Sequence, residues 1–322
     1  MTRTGADRHD AEPSSGAGPS GRDGAFFEAE RPRLTGLAYR MLGSVADAED
    51  VVSEAWMRFD AADRSVIESP AAWLTTVTSR LAIDRLRAQR RRREDYVGPW
   101  LPEPILTHAS TPADRVAPSP LPDPGERIEM AESLTLGFLV VLDRLGPVER
   151  AVFLLHDVFG EPFAEISRMV GRSEENCRQI AARARRRVRE ERSSAREADA
   201  DVLVDLVSAL AGGDEAEVIR LLAPDVVLTS DGGANRRAAR RPVVGSDRVA
   251  RFMANVAGRI PSDAAVGIEE VNASPAFVMR SSSINMVLSV ERGDDGRIRS
   301  IRMVLNPDKL AGVTGLDAPT VV

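Results

Sequence analysis

Apolar residues recur at three- and four-residue steps through the first part of the chain, then give way to short β-branched runs near its end. Leu34, Leu37, Ala38 and Met41 predict a helix from Phe26 to about Leu42, ended by Gly43. Ser44, three residues before Asp47, stands where a second helix would need its N-cap. On that helix Ala48, Val51, Val52, Ala55, Trp56 and Phe59 form an apolar stripe, while Asp47, Asp50 and Glu54 form an acidic ridge on another face. Pro70 opens a third helix, marked by Leu74, Val77 and Leu81, that runs into arginines at 85, 87 and 90–93.

The stretch 94–126 holds many prolines and little periodicity, which predicts a linker. Helical patterning resumes near Arg127, breaks at Gly146-Pro147 and continues with Val148, Val152 and Leu155. The segment EPFAEISRMVGRSEENCRQIAARARRRVREER then predicts a short helix, a Gly171 turn, a Ser173 cap and a longer helix. From about 198 come two short helices, a strand VVLTS and a helix around SDRVARFMANVAG. Strand-like runs AVGIEEV, AFVMRS, INMVLSVE and RIRSIRMVL follow, the last two joined by a Gly-Asp-Asp-Gly hairpin signal. Helices first and antiparallel strands later is an α+β order. The expected organisation is an irregular tail over 1–24, an all-α unit over 25–93, a linker over 94–126, a second all-α unit over 127–193 and an α+β unit over 198–322.

Composition narrows this to a soluble, multidomain protein. A chain of 322 residues exceeds one typical core, and 43% hydrophobic with 29% charged residues is globular usage. No apolar run approaches the roughly 20 residues of a membrane span, and the first two dozen residues lack a signal-peptide core, so a cytoplasmic protein without membrane contact is expected. A single cysteine, Cys177, excludes an intramolecular disulfide and a cysteine-based zinc cluster. The net charge of −6 conceals segregated blocks of acids and arginines, and Lys309 is the only lysine.

The chemistry concentrates in the helix–turn–helix. Phe163, Ile166 and Met169 on its first helix face Cys177, Ile180, Ala184 and Val188 on its second, which buries the thiol. The outer face carries Asn176, Arg178, Gln179, Arg183, Arg185 and Arg186, preceded by Arg172 and Ser173. Arg pairs with guanine and Asn or Gln with adenine in the major groove, while further arginines neutralise phosphates. A solvated bundle helix can also be arginine-rich; the coincidence of two apolar faces, a Gly turn and a cap favours DNA reading.

These residues carry a family resemblance. GSVADAEDVVSEAWMRFD, then PAAWLTTVTSRLAIDRLRAQRRRR, then GRSEENCRQIAARARRRV are similar, in this order, to regions 2 and 4 of extracytoplasmic-function (ECF) RNA polymerase sigma factors. The resemblance implies two small helical domains that bind the polymerase core at its clamp and span promoter DNA. Asp47, Asp50 and Glu54 then correspond to the core-binding surface; their charge would repel DNA and suits a basic protein partner. Arg64, Trp73, Arg80, Asp84 and Arg87 correspond to the −10 reading element, with the DRSVIES loop where an unstacked base is captured. Arg172, Ser173, Asn176, Arg178, Gln179, Arg183 and Arg186 correspond to the −35 helix.

The remaining 125 or so residues resemble the SnoaL-like, NTF2-like α+β cone fused to one subgroup of these sigma factors. That subgroup carries WLPEP in the linker (Trp100, Leu101, Pro102, Glu103, Pro104), a glycine-rich loop (here Asp231, Gly232, Gly233) and NPDKL (Asn306, Pro307, Asp308, Lys309, Leu310). Its third glycine and following basic residue are replaced by Ala234-Asn235, with Arg236 and Arg237 next. Burying Trp100 and Leu101 would return about 1.5–3 kcal/mol each, and the flanking prolines keep the segment extended at low entropic cost. The linker is therefore expected to dock near Asn306–Leu310, with Glu103 meeting Lys309, and to act as a switch in cis. No catalytic residue, cofactor or metal site is expected: residues 198–322 contain no His, Cys, Tyr or Trp, leaving acid–base work to Asp or Glu alone. The alternative is an extension that binds or converts a small hydrophobic ligand in a cone lined by Phe252, Phe277, Met279, Met286 and Met303, a set that ordinary core packing also explains.

Overall fold

The computed structural model describes residues 19–93, 95–107, 130–192 and 196–314. Part of the expected tail, 1–18, much of the expected linker, 108–126, and the expected helix start at 127–129 lie outside them. Helix α1 (Pro19–Leu42) begins within the stretch expected to be irregular, and Gly43 ends it at a φ of +68°. Helix α2 (Val45–Asp60) starts as its cap predicts, with the Ser44 hydroxyl accepting from Asp47 N at 3.3 Å. A 3-10 turn (Arg64–Val66) leads to α3 (Pro70–Arg93), which carries the arginine run to its last residue.

Helices α4 (Leu136–Asp143) and α5 (Pro147–Phe153), the latter continued by a π-helical turn (Leu154–Val158), precede the helix–turn–helix. That motif is α6 (Phe163–Val170) and α7 (Glu174–Arg192), joined through Gly171 in a left-handed C-cap. The two helical units do not stand apart. Leu34, Leu42, Leu74 and Leu86 of the first belong to the same buried cluster as Leu139, Leu142, Leu154 and Met169 of the second. The linker therefore joins two helical units that pack on each other: α1 and α3 retain apolar surface that α4 to α6 bury.

Two fully buried arginines lie in that junction. Arg40 donates to Ser133 Oγ (2.8 Å), Met130 O (3.0 Å) and Gly36 O (3.1 Å). Arg150 donates to Arg40 O (3.0 Å) and reaches Asp143 (3.3 Å). Buried guanidinium groups need this many partners, and here the partners come from both units.

The C-terminal unit is α+β. Strand β1 (Arg196–Glu197) precedes α8 (Ala200–Ala211), α9 (Glu215–Leu221), β2 (Leu222–Asp231), β3 (Val243–Val244) and α10 (Ser246–Ala257). Strands β4 (Ala265–Val271), β5 (Ser274–Arg280), β6 (Met286–Arg292) and β7 (Ile298–Val304) follow, then a 3-10 turn (Pro307–Lys309) and α11 (Ala311–Thr314). The sheet order is β3-β2-β7-β6-β5-β4, with β1 also paired to β6; β2 and β7 are parallel and the other pairs antiparallel.

The two-residue alternation of strands sorts the sheet into two apolar faces. Phe277, Leu288, Ile301 and Met303 pack against Leu203, Leu206 and Met253 of the domain's own helices. Val278, Val287 and Val304, on the opposite face of their strands, pack against Leu101 and Leu106 of the linker and Leu136 of α4. The second face is thus covered by the sigma-like half of the chain.

Candidate nucleic-acid interface and interdomain latch

Helix α7 presents the sequence-derived DNA set outward. Cys177, Ile180, Ala181, Ala184 and Val188 are buried against α6, while Arg172, Asn176, Arg178, Gln179, Arg183 and Arg186 are exposed. Ser173 is also exposed, and its hydroxyl accepts from Asn176 N at 3.2 Å, fixing the start of the helix. Arg178 pairs with Glu174 one turn back at 2.7 Å, an exposed pair worth little and easily exchanged for another acceptor. Arg185 is turned towards Asp157, and burial pushes the Cys177 thiol up.

The residues assigned to the −10 element do not form one open surface. Arg80 donates to Met169 O (3.1 Å) and Arg168 O (2.7 Å), the last carbonyls of α6. A guanidinium satisfies a helix C-terminus well, because those carbonyls lack intrahelical partners. Arg64 pairs with Asp23 at 3.0 Å and lies 3.6 Å over the Phe59 ring, while Trp73 is half-buried against the same ring. Asp84 and Arg87 pair with each other at 2.8 Å and remain exposed.

The acidic ridge is partly neutralised by its own domain. Arg85 bridges Asp47 and Asp50, both at 2.6 Å, and Arg58 holds Glu54 at 2.6 Å. Further along the arginine run, Arg90 donates to the carbonyls of Asp143 and Leu145, and Arg93 pairs with Asp143. These two members of the run therefore tie region to region instead of facing solvent.

The linker is docked. Leu101 is 2% exposed, and Pro102, Pro104, Ile105 and Leu106 are also buried. Asp231, fully buried, collects four donors: Tyr96 Oη (2.6 Å), Leu101 N (2.8 Å), Gly233 N (3.1 Å) and Lys309 Nζ (2.6 Å). Lys309 also donates to Leu101 O, and Asn306 Nδ2 donates to Tyr96 Oη at 2.9 Å. Arg93 Cζ and Lys309 Nζ lie 3.3 and 4.1 Å from the centroid of the Trp100 ring, within cation–π range. Burial pulls the Lys309 ammonium down to about 8 against the opposing pull of Asp231. Burial and Asp231 together push the Tyr96 phenol up.

Two glycines allow the close approaches. At Gly43 a Cβ would stand 2.6 Å from Trp100 Cη2, and at Gly233, with φ +58°, one would stand 2.7 Å from Asn306 Nδ2. Gly232 is likewise buried beside the backbone of Arg236. Pro307 and Asp308 are exposed; they build the 3-10 turn that aims Lys309, with Asn306 Oδ1 accepting from Asp308 N. Leu310 is buried with Leu101 in the second-face cluster.

Glu103 does not meet Lys309. Its carboxylate accepts from Val45 N at 2.8 Å, at the N-terminus of α2, where the helix dipole favours an anion. Lys309 turns instead to the closer, fully buried Asp231. Tyr96, Tyr39 and Asn272 were outside the sequence-derived set. Both tyrosines of the chain join this interior network, a rarity that could have flagged them.

The cone contains a cavity of about 670 Å³ lined by Leu206, Met253, Phe277, Met286, Leu288 and Met303, among others. Phe252 and Met279 pack in the surrounding core and do not line it. Its lining holds no ionisable side chain. Among the described residues no metal-binding group of His, Cys, Asp or Glu occurs, and no helix is long and apolar enough to cross a membrane.

A helix–turn–helix with an exposed Arg/Asn/Gln face, packed on a second helical unit and an appended α+β domain, defines a multidomain DNA-reading protein. Residues 26–92 match the family model of Sigma-70 region 2, and residues 137–188 that of Sigma-70, region 4. The chain is 38% identical over 307 residues to the ECF RNA polymerase sigma factor SigJ of Mycobacterium tuberculosis, covering 89% of this chain and 92% of that protein. It is 33% identical over 297 residues to the probable ECF RNA polymerase sigma factor SigI of the same species, covering 89% and 94%. The crystal structure of SigJ matches with a TM-score of 0.70 at 35% identity, over 91% of this chain and 99% of that one. The chain belongs to the ECF RNA polymerase sigma factor family: it binds RNA polymerase core and directs initiation at particular promoters.

Proposed function

We propose that this sigma factor is held inactive in cis by its C-terminal domain, through the docked linker. Asp47, Asp50 and Glu54 contact the polymerase clamp; Arg64, Trp73, Arg80, Asp84 and Arg87 read the −10 region; and the exposed face of α7 reads the −35 region. Reading two promoter elements requires regions 2 and 4 to separate. The observation that carries the proposal is Asp231, which holds Tyr96, Leu101 and Lys309 together and so pins the linker between the regions. The Arg80 bonds to α6 support the same reading, because they occupy a DNA-reading side chain with region 4.

Lys309→Glu sets a second carboxylate against Asp231 and tests this directly. Capture of core polymerase and run-off transcription should both rise at least tenfold over the unaltered chain. Unchanged capture and transcription, in a variant that retains its circular dichroism spectrum, would remove the inhibitory role.

A second reading rests on the cavity. Its wholly apolar lining favours binding a neutral hydrophobic molecule over converting one. Phe277 and Leu288 on the cavity side are followed by Val278 and preceded by Val287 on the docking side, so occupancy of the cone reaches the sigma half through one layer of backbone. A neutral hydrophobic probe such as N-phenyl-1-naphthylamine tests it: binding abolished in Leu206→Trp supports the site, and unaltered binding argues against it.

A further inference from the structure

The loop between β2 and β3 carries Arg236, Arg237, Arg240 and Arg241, all exposed. This stands out in a chain with a net charge of −6, where among the described residues Arg80, Arg85, Arg90, Arg93 and Arg150 of the helical regions are engaged with acids or carbonyls. Arg236 donates to Ser283 O at 2.6 Å, and among the described residues Arg237, Arg240 and Arg241 have no ion-pair partner. The loop curls around a recess of about 400 Å³ formed with Val97 and Gly98 of the linker. At Gly98, with φ +80°, a Cβ would stand 3.5 Å from Arg240 Cα, so the loop touches the chain just beyond the end of α3. Arg91 and Arg92, the two exposed members of the arginine run nearest its end, lie at that helix end and also lack an ion-pair partner among the described residues. Two acids stand in the short stretch between them and Gly98: Asp95, which is exposed, and Glu94, which lies outside the described residues.

We infer that the Arg237–Arg241 loop of the C-terminal domain and the end of α3 form one basic surface that contacts DNA backbone phosphates. Unpaired guanidinium groups are the side chains best suited to phosphate oxygens, and their distribution over a loop and a helix end follows a backbone, not a base edge. The contact is sequence-independent and adds to the base-reading face of α7. It extends the DNA footprint of the protein onto a domain outside regions 2 and 4. It does not rest on the inhibitory role of the latch, since the loop is exposed in this arrangement.

The test uses the full chain and a labelled random-sequence duplex of about 40 base pairs, titrated by fluorescence anisotropy over a range of salt. Arg237→Ser, Arg240→Ser and Arg241→Ser combined should weaken binding at least tenfold at low salt. The slope of log affinity against log salt should become shallower by about 0.9 for each phosphate the variant no longer neutralises. Arg91→Ser with Arg92→Ser should act in the same direction. Arg259→Ser with Arg297→Ser, exposed arginines elsewhere on the domain, should leave the slope unchanged. The inference is overturned if the unaltered chain does not bind the duplex, if the loop variant keeps its slope, or if the control variant shifts it equally. It is also overturned if the loop variant fails to capture core polymerase in the absence of DNA while keeping its duplex affinity.

Discussion

Asn272 donates a 2.7 Å hydrogen bond to the hydroxyl of Tyr39, a residue 233 positions earlier in the chain. The same Asn272 amide donates to Leu134 O at 3.0 Å and accepts from Ile105 N at 2.9 Å. Tyr39 in turn donates to Glu103 O at 2.7 Å. One buried side chain at the tip of the β4–β5 hairpin therefore touches region 2, the linker and the approach to region 4. It holds a φ of +52°, a conformation that Asn tolerates better than most residues.

Asn272→Ala should remove three hydrogen bonds and leave buried partners unsatisfied, at a cost of about 2–4 kcal/mol. Tyr39→Phe removes only the hydroxyl and should cost about 1–2 kcal/mol. Thermal denaturation should rank them in that order; equal or negligible losses would show that the junction does not depend on this network.

Trp100→Ala strips the linker of the ring over which Arg93 and Lys309 lie. The expected loss is up to about 3 kcal/mol of docking, without unfolding of any domain. Small-angle scattering should show a larger radius of gyration, and transcription from a cognate promoter should increase. An unchanged radius and unchanged transcription would reduce Trp100 to a local linker contact.

Asp231→Asn leaves the buried Lys309 ammonium without its counter-charge, which should cost about 3–5 kcal/mol. The double change with Lys309→Met should recover much of that loss, because neither charge then remains buried. A double variant no more stable than Asp231→Asn alone would mean that the pair is not the coupled unit described above.

Glu197 faces Glu291 across the β1–β6 pair and lies near Thr135 at the start of α4. Burial, then Glu291, push its carboxyl up to about 7, against Arg302 and Arg192. A raised carboxyl binds its proton more tightly in the folded chain, so its contribution is fully present below about pH 4.5 and is lost as the pH rises through about 7. Glu197→Gln should therefore flatten the fall in melting temperature between pH 5 and 7 relative to the unaltered chain. Identical pH profiles for the two proteins would exclude this assignment.

Arg178→Ala should cost about 1–3 kcal/mol at one base position of the −35 element. Arg186→Ala should weaken all sequences alike and lower the salt slope by about 1. Equal effects of both on specific and random DNA would deny Arg178 a base-reading role.

Much of the secondary structure is legible from the sequence, because caps and stripes coincide at Ser44, Pro70 and Ser173. The docking of Trp100 and Leu101 is legible for a similar reason: two large apolar side chains stand in a proline-held segment. The partners of the arginines are not legible. Arg80 finds the carbonyl end of α6, and Arg85 finds Asp47 and Asp50, through packing that no spacing rule encodes. Glu103 and Lys309 illustrate the limit: opposite charges nearby in the expected fold chose a helix N-terminus and a buried aspartate instead. Strand β3, of two residues, is too short to carry a periodicity, and the Asn272-Ala273 turn lacks the glycine that marks such turns.

The linker that docks on Asp231 belongs to the same polypeptide as the regions it joins. A tethered contact of this kind meets its site at an effective concentration in the millimolar range, whatever the cellular amount of the protein. A separate inhibitor can be outnumbered when its target is overproduced; the inhibitor in cis proposed above is synthesised one-for-one with the domains it would restrain. Raising expression multiplies locked molecules and unlocked molecules in the same proportion. Under that proposal, output is set by whatever competes for Trp100, Leu101 and Lys309, and gene dosage alone leaves the fraction released unchanged.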